Sequence, residues 1–328
     1  MKDIAIIGSG SWGCALAIYL ANNGNNVKIW SFSEDEKNII NNEKRCVFLP
    51  KAVIPDGVFC STDMKEVIEG ADFVLHVTPS KFVRSTMIQY KDIIRPNQNI
   101  IMCSKGFELE TCKTLDQVIE EEFPENKYGI LSGPSHAEEV SLNINTALVI
   151  ASKYDDLKDE IVDCFKSKTL RMYTSKDVKG VELGGALKNI IAFCAGAAVG
   201  LGLGDNAFAA LSTRGLVEIA RLGTKMGGEE KTFYGLTGLG DLIVTCGSEH
   251  SRNRTAGKYI GEGFSIEETR KKVGMTIESL DNIDVAYKLS KKYEVEMPIV
   301  NAVYDVLYNG LDVRNAVEIL MTRDLKEE

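Results

Sequence analysis

An α/β domain built on a mostly parallel sheet, followed by an all-helical domain, is the fold class this sequence predicts. Three observations lead there. Short apolar runs alternate with helix-length amphipathic stretches through the first half of the chain. A run of small residues, Gly8-Ser9-Gly10-Ser11-Trp12-Gly13, lies directly behind the first apolar run. From about Lys176 onward, strand-like runs become scarce and helical periodicities lengthen. At 328 residues the chain exceeds the size at which one core usually stops growing, so two domains are expected. We place them at 1–180 and 181–328, where a polar connector at 176–179 passes into a helix.

The strands are read from the apolar runs 4–8, 27–30, 73–80, 99–104 and 146–152. Strands separated by helix-length segments imply βαβ units, hence a parallel sheet with helices on both faces. In the second half, 215–226 and 303–323 carry helical periodicity. The stretch from Asn189 to Gly204 holds no charged residue over 16 positions. That is short of the roughly 20 needed to span a bilayer, and four glycines loosen it, so it reads as a helix buried on all sides.

Composition sets limits on function. The net charge is −9, and no cluster of Lys and Arg interleaves with aromatic residues, which argues against a nucleic-acid partner. An anionic ligand must therefore be captured locally. Eight cysteines occur with no C-x-x-C pair, beside three histidines, so no metal site is expected and the thiols read as reduced. The N-terminal apolar run, Ile4 to Ile7, is too short for the core of an export signal, which leaves a cytoplasmic protein as the expectation.

Gly8, Gly10 and Gly13 form G-x-G-x-x-G between a strand and a helix that closes at Gly24. The first glycine permits the tight turn, the second lets backbone amides meet a pyrophosphate, and the third lets the helix pack on the strand. A turn that needed only close packing would use the same glycines. With a strand before and a helix after, the segment reads as the dinucleotide loop of a Rossmann-type domain, the positive helix end facing the phosphates. Trp12 is either a packing residue or a wall of the cofactor groove. The acid expected at the end of the second strand is missing: Ser31, Phe32 and Ser33 precede Glu34, Asp35 and Glu36. Those three acids read equally as the solvated first turn of a helix capped by Ser33. No arginine stands beside that strand end for a 2′-phosphate, and three consecutive acids would repel one, so NAD(H) is favoured over NADP(H).

The chemistry is expected in the second half. Asp241, Ser251, Arg252, Asn253 and Arg254 lie in a glycine-broken stretch suited to presenting polar groups. An arginine fork beside Ser and Asn donors matches a phosphate monoester, although a solvated basic turn would look similar. Lys188 and Asn189 are the polar pair in an otherwise apolar run. Burial lowers a lysine's pKa toward the range where it exchanges a proton with a carbonyl oxygen, provided a carboxylate such as Asp241 holds it. A lysine at such a place also commonly reaches to solvent. His136 beside Ser135 lacks an orienting partner and is discounted as a nucleophile and base pair.

Taken together, the segments 8–17, 48–50, 104–108, 132–140, 184–207 and 235–257 resemble the bacterial NAD(P)-dependent glycerol-3-phosphate dehydrogenases, from end to end. The resemblance implies reversible hydride transfer between a nicotinamide and the dihydroxyacetone phosphate/sn-glycerol 3-phosphate pair, feeding phospholipid synthesis, in a homodimer. It implies that Lys188 is the proton donor or acceptor, and that Lys105 meets both substrate and cofactor. Gly133 and Ser135 would line the substrate site, completed by Asp241, Ser251, Arg252 and Asn253. Ser11, Trp12, Ala137, Arg252 and Glu278 would touch the cofactor. Many relatives carry Arg or His just after the strand-two tryptophan, where this chain has Ser31-Phe32-Ser33. A two-domain β-hydroxyacid-type dehydrogenase and a non-catalytic nicotinamide sensor are the alternatives; the second has no need of Lys188, Asp241 and Arg252.

Overall fold

The computed structural model describes residues 1–324, which divide into two compact units, Met1–Glu182 and the residues from Leu183 onward. The division falls inside helix Val178–Gly200.

The first unit is an open eight-stranded sheet. Its strands are β1 (Asp3–Ile7), β2 (Asn26–Trp30), β3 (Phe59–Ser61), β4 (Phe73–His76), β5 (Asn99–Met102), β6 (Tyr128–Ser132), β7 (Thr146–Ala151) and β8 (Leu170–Ser175). Their order is β8-β7-β6-β5-β4-β1-β2-β3. All neighbours are parallel except β6 and β7, which are antiparallel. The chain builds outward from β1 through β2 and β3, then returns to lay β4 on the other side of β1. That reversal leaves a crevice beyond the carboxyl ends of β1 and β4, the usual ligand position in such sheets. The central strands are buried along almost their whole length, as a sheet covered on both faces requires.

Helix α1 (Ser11–Asn22) packs into the core of this unit through Cys14, Leu16, Ala17 and Leu20. A short α2 (Glu34–Asn38) follows β2, with the Ser33 hydroxyl accepting the Glu36 N–H as its N-cap. Helix α3 (Ala137–Ser141) follows β6. A separate hairpin pairs Arg45–Cys46 with Leu49–Val53.

Two expected outlines shift. The run 73–80 is strand only to His76, because Pro79 breaks the ladder and Ser80–Phe82 turn as a short 3-10 helix. The strands β3, β6 and β8 were not read from the sequence.

The second unit is helical: α4 (Val178–Gly200), α5 (Gly204–Lys225), α6 (Asp241–Gly247), α7 (Arg252–Gly261), α8 (Glu278–Lys292), α9 (Pro298–Tyr308) and α10 (Val313–Met321) are its main elements. The segment 303–323 is two helices rather than one, because Asn309 and Gly310 turn the chain and Asp312 caps the next helix. Helix α4 is long and apolar enough to cross a membrane by length and composition, yet 83% of its apolar window is buried inside the protein. Its glycines are contact points. A Cβ on Gly196 would stand 1.9 Å from the Arg254 carbonyl, and one on Gly257 would stand 1.8 Å from the Phe193 carbonyl. Helices α4 and α7 therefore meet backbone to backbone. This seam fixes the start of α7 relative to α4.

Candidate dinucleotide and substrate sites

The carboxyl ends of β1, β2, β4, β5 and β6 lie along one edge of the parallel sheet, and four sequence-predicted segments follow from them. Gly8 leaves β1 at φ +127°, a conformation that favours glycine. A Cβ on Gly13 would lie 1.9 Å from the Gly8 carbonyl oxygen, so the third glycine is what lets α1 sit against the turn. A Cβ on Gly10, by contrast, would meet nothing within 4 Å. Open space therefore borders the loop at its middle glycine. Gly10 caps α1 without a side-chain hydrogen bond, and the first turn holds no acid. Its amides and positive end face that space. These residues fit a pyrophosphate. Trp12 is partly buried and packs on the core of this unit.

Farther along the same edge, Lys105 Nζ donates to the Gly133 carbonyl at 3.3 Å, and the Ser135 hydroxyl donates to that oxygen at 3.1 Å. Gly133 has φ +139°, and a Cβ there would come within 3.0 Å of the Ala147 carbonyl. A single carbonyl thus gathers Lys105, Gly133 and Ser135 between the ends of β5 and β6. Ala137, at the start of α3, is buried, and His136 is the N-cap residue before it.

In the second unit Lys188 is 6% exposed and Asp241 1%. The Lys188 ammonium donates to Asp241 Oδ1, and to Thr245 Oγ1 at 2.6 Å. Thr245 in turn donates to the Asp241 backbone carbonyl at 2.6 Å. Residues four apart on a helix share a face, so Asp241 and Thr245 close on the same ammonium from one helix. The sequence reading missed Thr245. Its signal was the i, i+4 spacing from Asp241, which a glycine-broken stretch conceals until helix α6 is known. Asn189, beside the lysine, is buried as well.

Ser251, Arg252 and Asn253 open helix α7. Ser251 is the N-cap, accepting the Arg254 N–H at 3.2 Å. Arg252 Nη1 donates to the Thr276 carbonyl at 3.2 Å, and Asn253 Oδ1 accepts the Ser279 N–H at 2.9 Å. These bonds bring Glu278, the first residue of α8, next to the start of α7. The first turn of α7 holds two arginines and no acid, an arrangement the helix dipole opposes. An anion bound there would offset that opposition.

Of the two readings of the acids at 34–36, the capped first turn holds, with Glu34 and Asp35 exposed behind Ser33; Glu36 departs from it, being half-buried with its carboxylate accepting the Ser9 hydroxyl.

The class defined by this fold is a dinucleotide-binding α/β protein with an appended helical unit. The chain belongs to the NAD-dependent glycerol-3-phosphate dehydrogenase family: the N-terminal model of that family matches residues 3–158 and the C-terminal model residues 177–318. It is 48% identical to a glycerol-3-phosphate dehydrogenase [NAD(P)+] of Bacillus cereus (strain G9842), over all of this chain and 98% of the relative. It is 46% identical to one of Fusobacterium nucleatum, over all of this chain and 99% of the relative. The crystal structure of glycerol-3-phosphate dehydrogenase from Coxiella burnetii superposes with a TM-score of 0.95 at 37% identity, covering 98% of this chain and 99% of that one. A D-mandelate dehydrogenase shares the fold at 14% identity, with a TM-score of 0.61 over 94% of this chain and 98% of that one.

Proposed function

We propose that the chain interconverts dihydroxyacetone phosphate and sn-glycerol 3-phosphate with NAD(H) or NADP(H), and that Lys188 carries the proton. The observation that carries this reading is the buried lysine gripped by Asp241 and Thr245. Gly8, Gly10, Ser11, Trp12 and Gly13, with Lys105, Ala137, Arg252 and Glu278, are assigned to the dinucleotide. When bound, its nicotinamide donates a hydride to the substrate's C2 or accepts one from it.

The remaining work falls to side chains. Arg252, Ser251 and Asn253 hold the phosphate at the start of α7, where charge-assisted bonds and the helix dipole act together. Lys105 and Ser135, gathered by the Gly133 carbonyl, are assigned to the substrate's polar end. In the reductive direction Lys188 gives a proton to the C2 oxygen as charge develops there, then regains one from solvent. In the oxidative direction the neutral amine takes the hydroxyl proton. Asp241 and Thr245 fix the nitrogen and balance its charge, so little reorganisation is needed when the proton moves. A lysine left to swing in solvent would lack that preorganisation.

The first unit is thus the dinucleotide-binding domain and the second the substrate and catalytic domain. A cytoplasmic homodimer supplying the backbone of membrane phospholipids completes the proposal. Eight free cysteines, seven of them buried, support a reducing compartment.

Steady-state oxidation of NADH tests the substrate assignment. Dihydroxyacetone phosphate is expected to be reduced with kcat/KM at least about a thousandfold above phosphate-free dihydroxyacetone, because the anion site contributes only when a phosphate is present. Equal turnover of the two, or faster turnover of a carboxylate semialdehyde, would refute it in favour of a β-hydroxyacid-type enzyme.

A further inference from the structure

Dinucleotide-binding sheets commonly end their second strand on an acid that takes the ribose hydroxyls. Here β2 ends at Trp30 and Ser31 occupies that position. We propose that Glu36, from the first turn of α2, supplies the missing carboxylate and selects NAD(H) over NADP(H). The inference rests on the reading of Gly8–Gly13 as the dinucleotide loop.

The geometry separates Glu36 from its two acidic neighbours. Ser31 is fully buried at the strand end, and its hydroxyl lies 2.8 Å from that of Ser9, inside the glycine loop. The Glu36 carboxylate accepts the Ser9 hydroxyl, and the same oxygen lies 3.4 Å from Ser31 Oγ. Ser31 Oγ also accepts the Ser33 N–H at 3.1 Å, which folds the chain back at the start of α2. The side chain thus reaches from the helix to the place a strand-end acid would fill. Glu34 is exposed and turned outward to Lys37 and Thr62, and Asp35 is exposed too.

A carboxylate offers about four acceptor positions. Ser9 and Ser31 use part of that capacity, leaving acceptors for a ribose diol. A phosphate on the 2′ oxygen would bring a second negative charge against Glu36 in a half-buried setting, where repulsion is weakly screened. Arg45 lines the same crevice, together with Ser9 and Phe48. Its guanidinium pairs with Glu43 at 3.2 Å, and both side chains are more than half exposed, at 62% and 53%. That loose pair gives a 2′-phosphate no fixed clamp.

Equilibrium titration of the whole protein with NADH and with NADPH, followed by nicotinamide fluorescence, tests the assignment without turnover. The wild type is expected to bind NADH at least about tenfold more tightly than NADPH, a margin of about 1.4 kcal/mol. Glu36→Gln should shrink that ratio toward one, mainly by tightening NADPH, while Glu34→Gln leaves it unchanged. Should Glu36→Gln fold poorly, Glu36→Asp, which shortens the reach, should give the same direction of change. An unaltered ratio in both Glu36 variants overturns the assignment, as does a wild-type preference for NADPH that Arg45→Ala abolishes. A wild type that binds neither nucleotide would overturn the dinucleotide reading itself, a distinct failure.

Discussion

At the residue scale, everything turns on how one ammonium is held. Lys188 sits on α4, and both groups that grip it come from α6, so its position depends on the Asp241–Thr245 spacing as much as on charge. Thr245 acts through the lysine. Thr245→Val removes an acceptor from a buried cation and should lower kcat about tenfold while leaving KM for dihydroxyacetone phosphate within a factor of about two. Thr245→Ser should restore most of the rate, a rescue that a purely packing role would not show. Arg252→Lys is expected to raise KM for the phosphate substrate at least about tenfold, because a point charge replaces a bidentate fork. Steady-state kinetics on purified variants checks both. Lys188 and Asp241 were legible in the sequence because a lone charge in an apolar run is conspicuous. Thr245 was not, since a threonine is chemically plain until its helix is known. Glu36 could not be singled out for a related reason: three consecutive acids look alike, and only the fold-back at Ser31 and Ser33 turns one of them inward.

At the scale of elements, the seam between α4 and α7 sets the geometry of the second unit. Gly257→Ala would drive a methyl into the Phe193 carbonyl and should destabilise the unit by about 1–3 kcal/mol, measured by urea unfolding. The glycines of the apolar run were legible as residues but not as contacts, because the partner helix is some 60 positions downstream. A second element carries a pH dependence. Glu218 on α5 is buried and accepts the Ile299 and Val300 N–H groups at the start of α9, at 2.8 and 3.3 Å. Burial outweighs these bonds and pushes its carboxyl from 4.5 up to about 7. A raised folded pKa means that the fold holds the proton more tightly than the unfolded chain does. The contribution is therefore full below pH 4.5 and is lost as pH climbs through about 7. Relative to Glu218→Gln, the wild type should lose about 3 kcal/mol of stability across that window, read from denaturant melts at several pH values.

At the scale of the whole molecule, fold class and order of units were legible, and the finer topology was not. Strands β1, β4 and β5 each carry a continuous run of at least three apolar residues, the mark of buried parallel strands. Strand β3 has only three residues, β6 contains a glycine and ends in serine, and β8 is a sheet edge with exposed Arg171, Thr174 and Tyr173. None offers the unbroken apolar run that marks β1, β4 and β5. What the chain does express plainly is a division of labour, with the glycine loop in the first unit and the proton-transferring lysine in the second. Lys188→Met, assayed for turnover of dihydroxyacetone phosphate and, in the same preparation, for NADH affinity, tests that division most directly. The account predicts turnover reduced by at least about a thousandfold, with the NADH dissociation constant changed by less than about threefold. Turnover near the wild-type level, with NADH still bound, would contradict it.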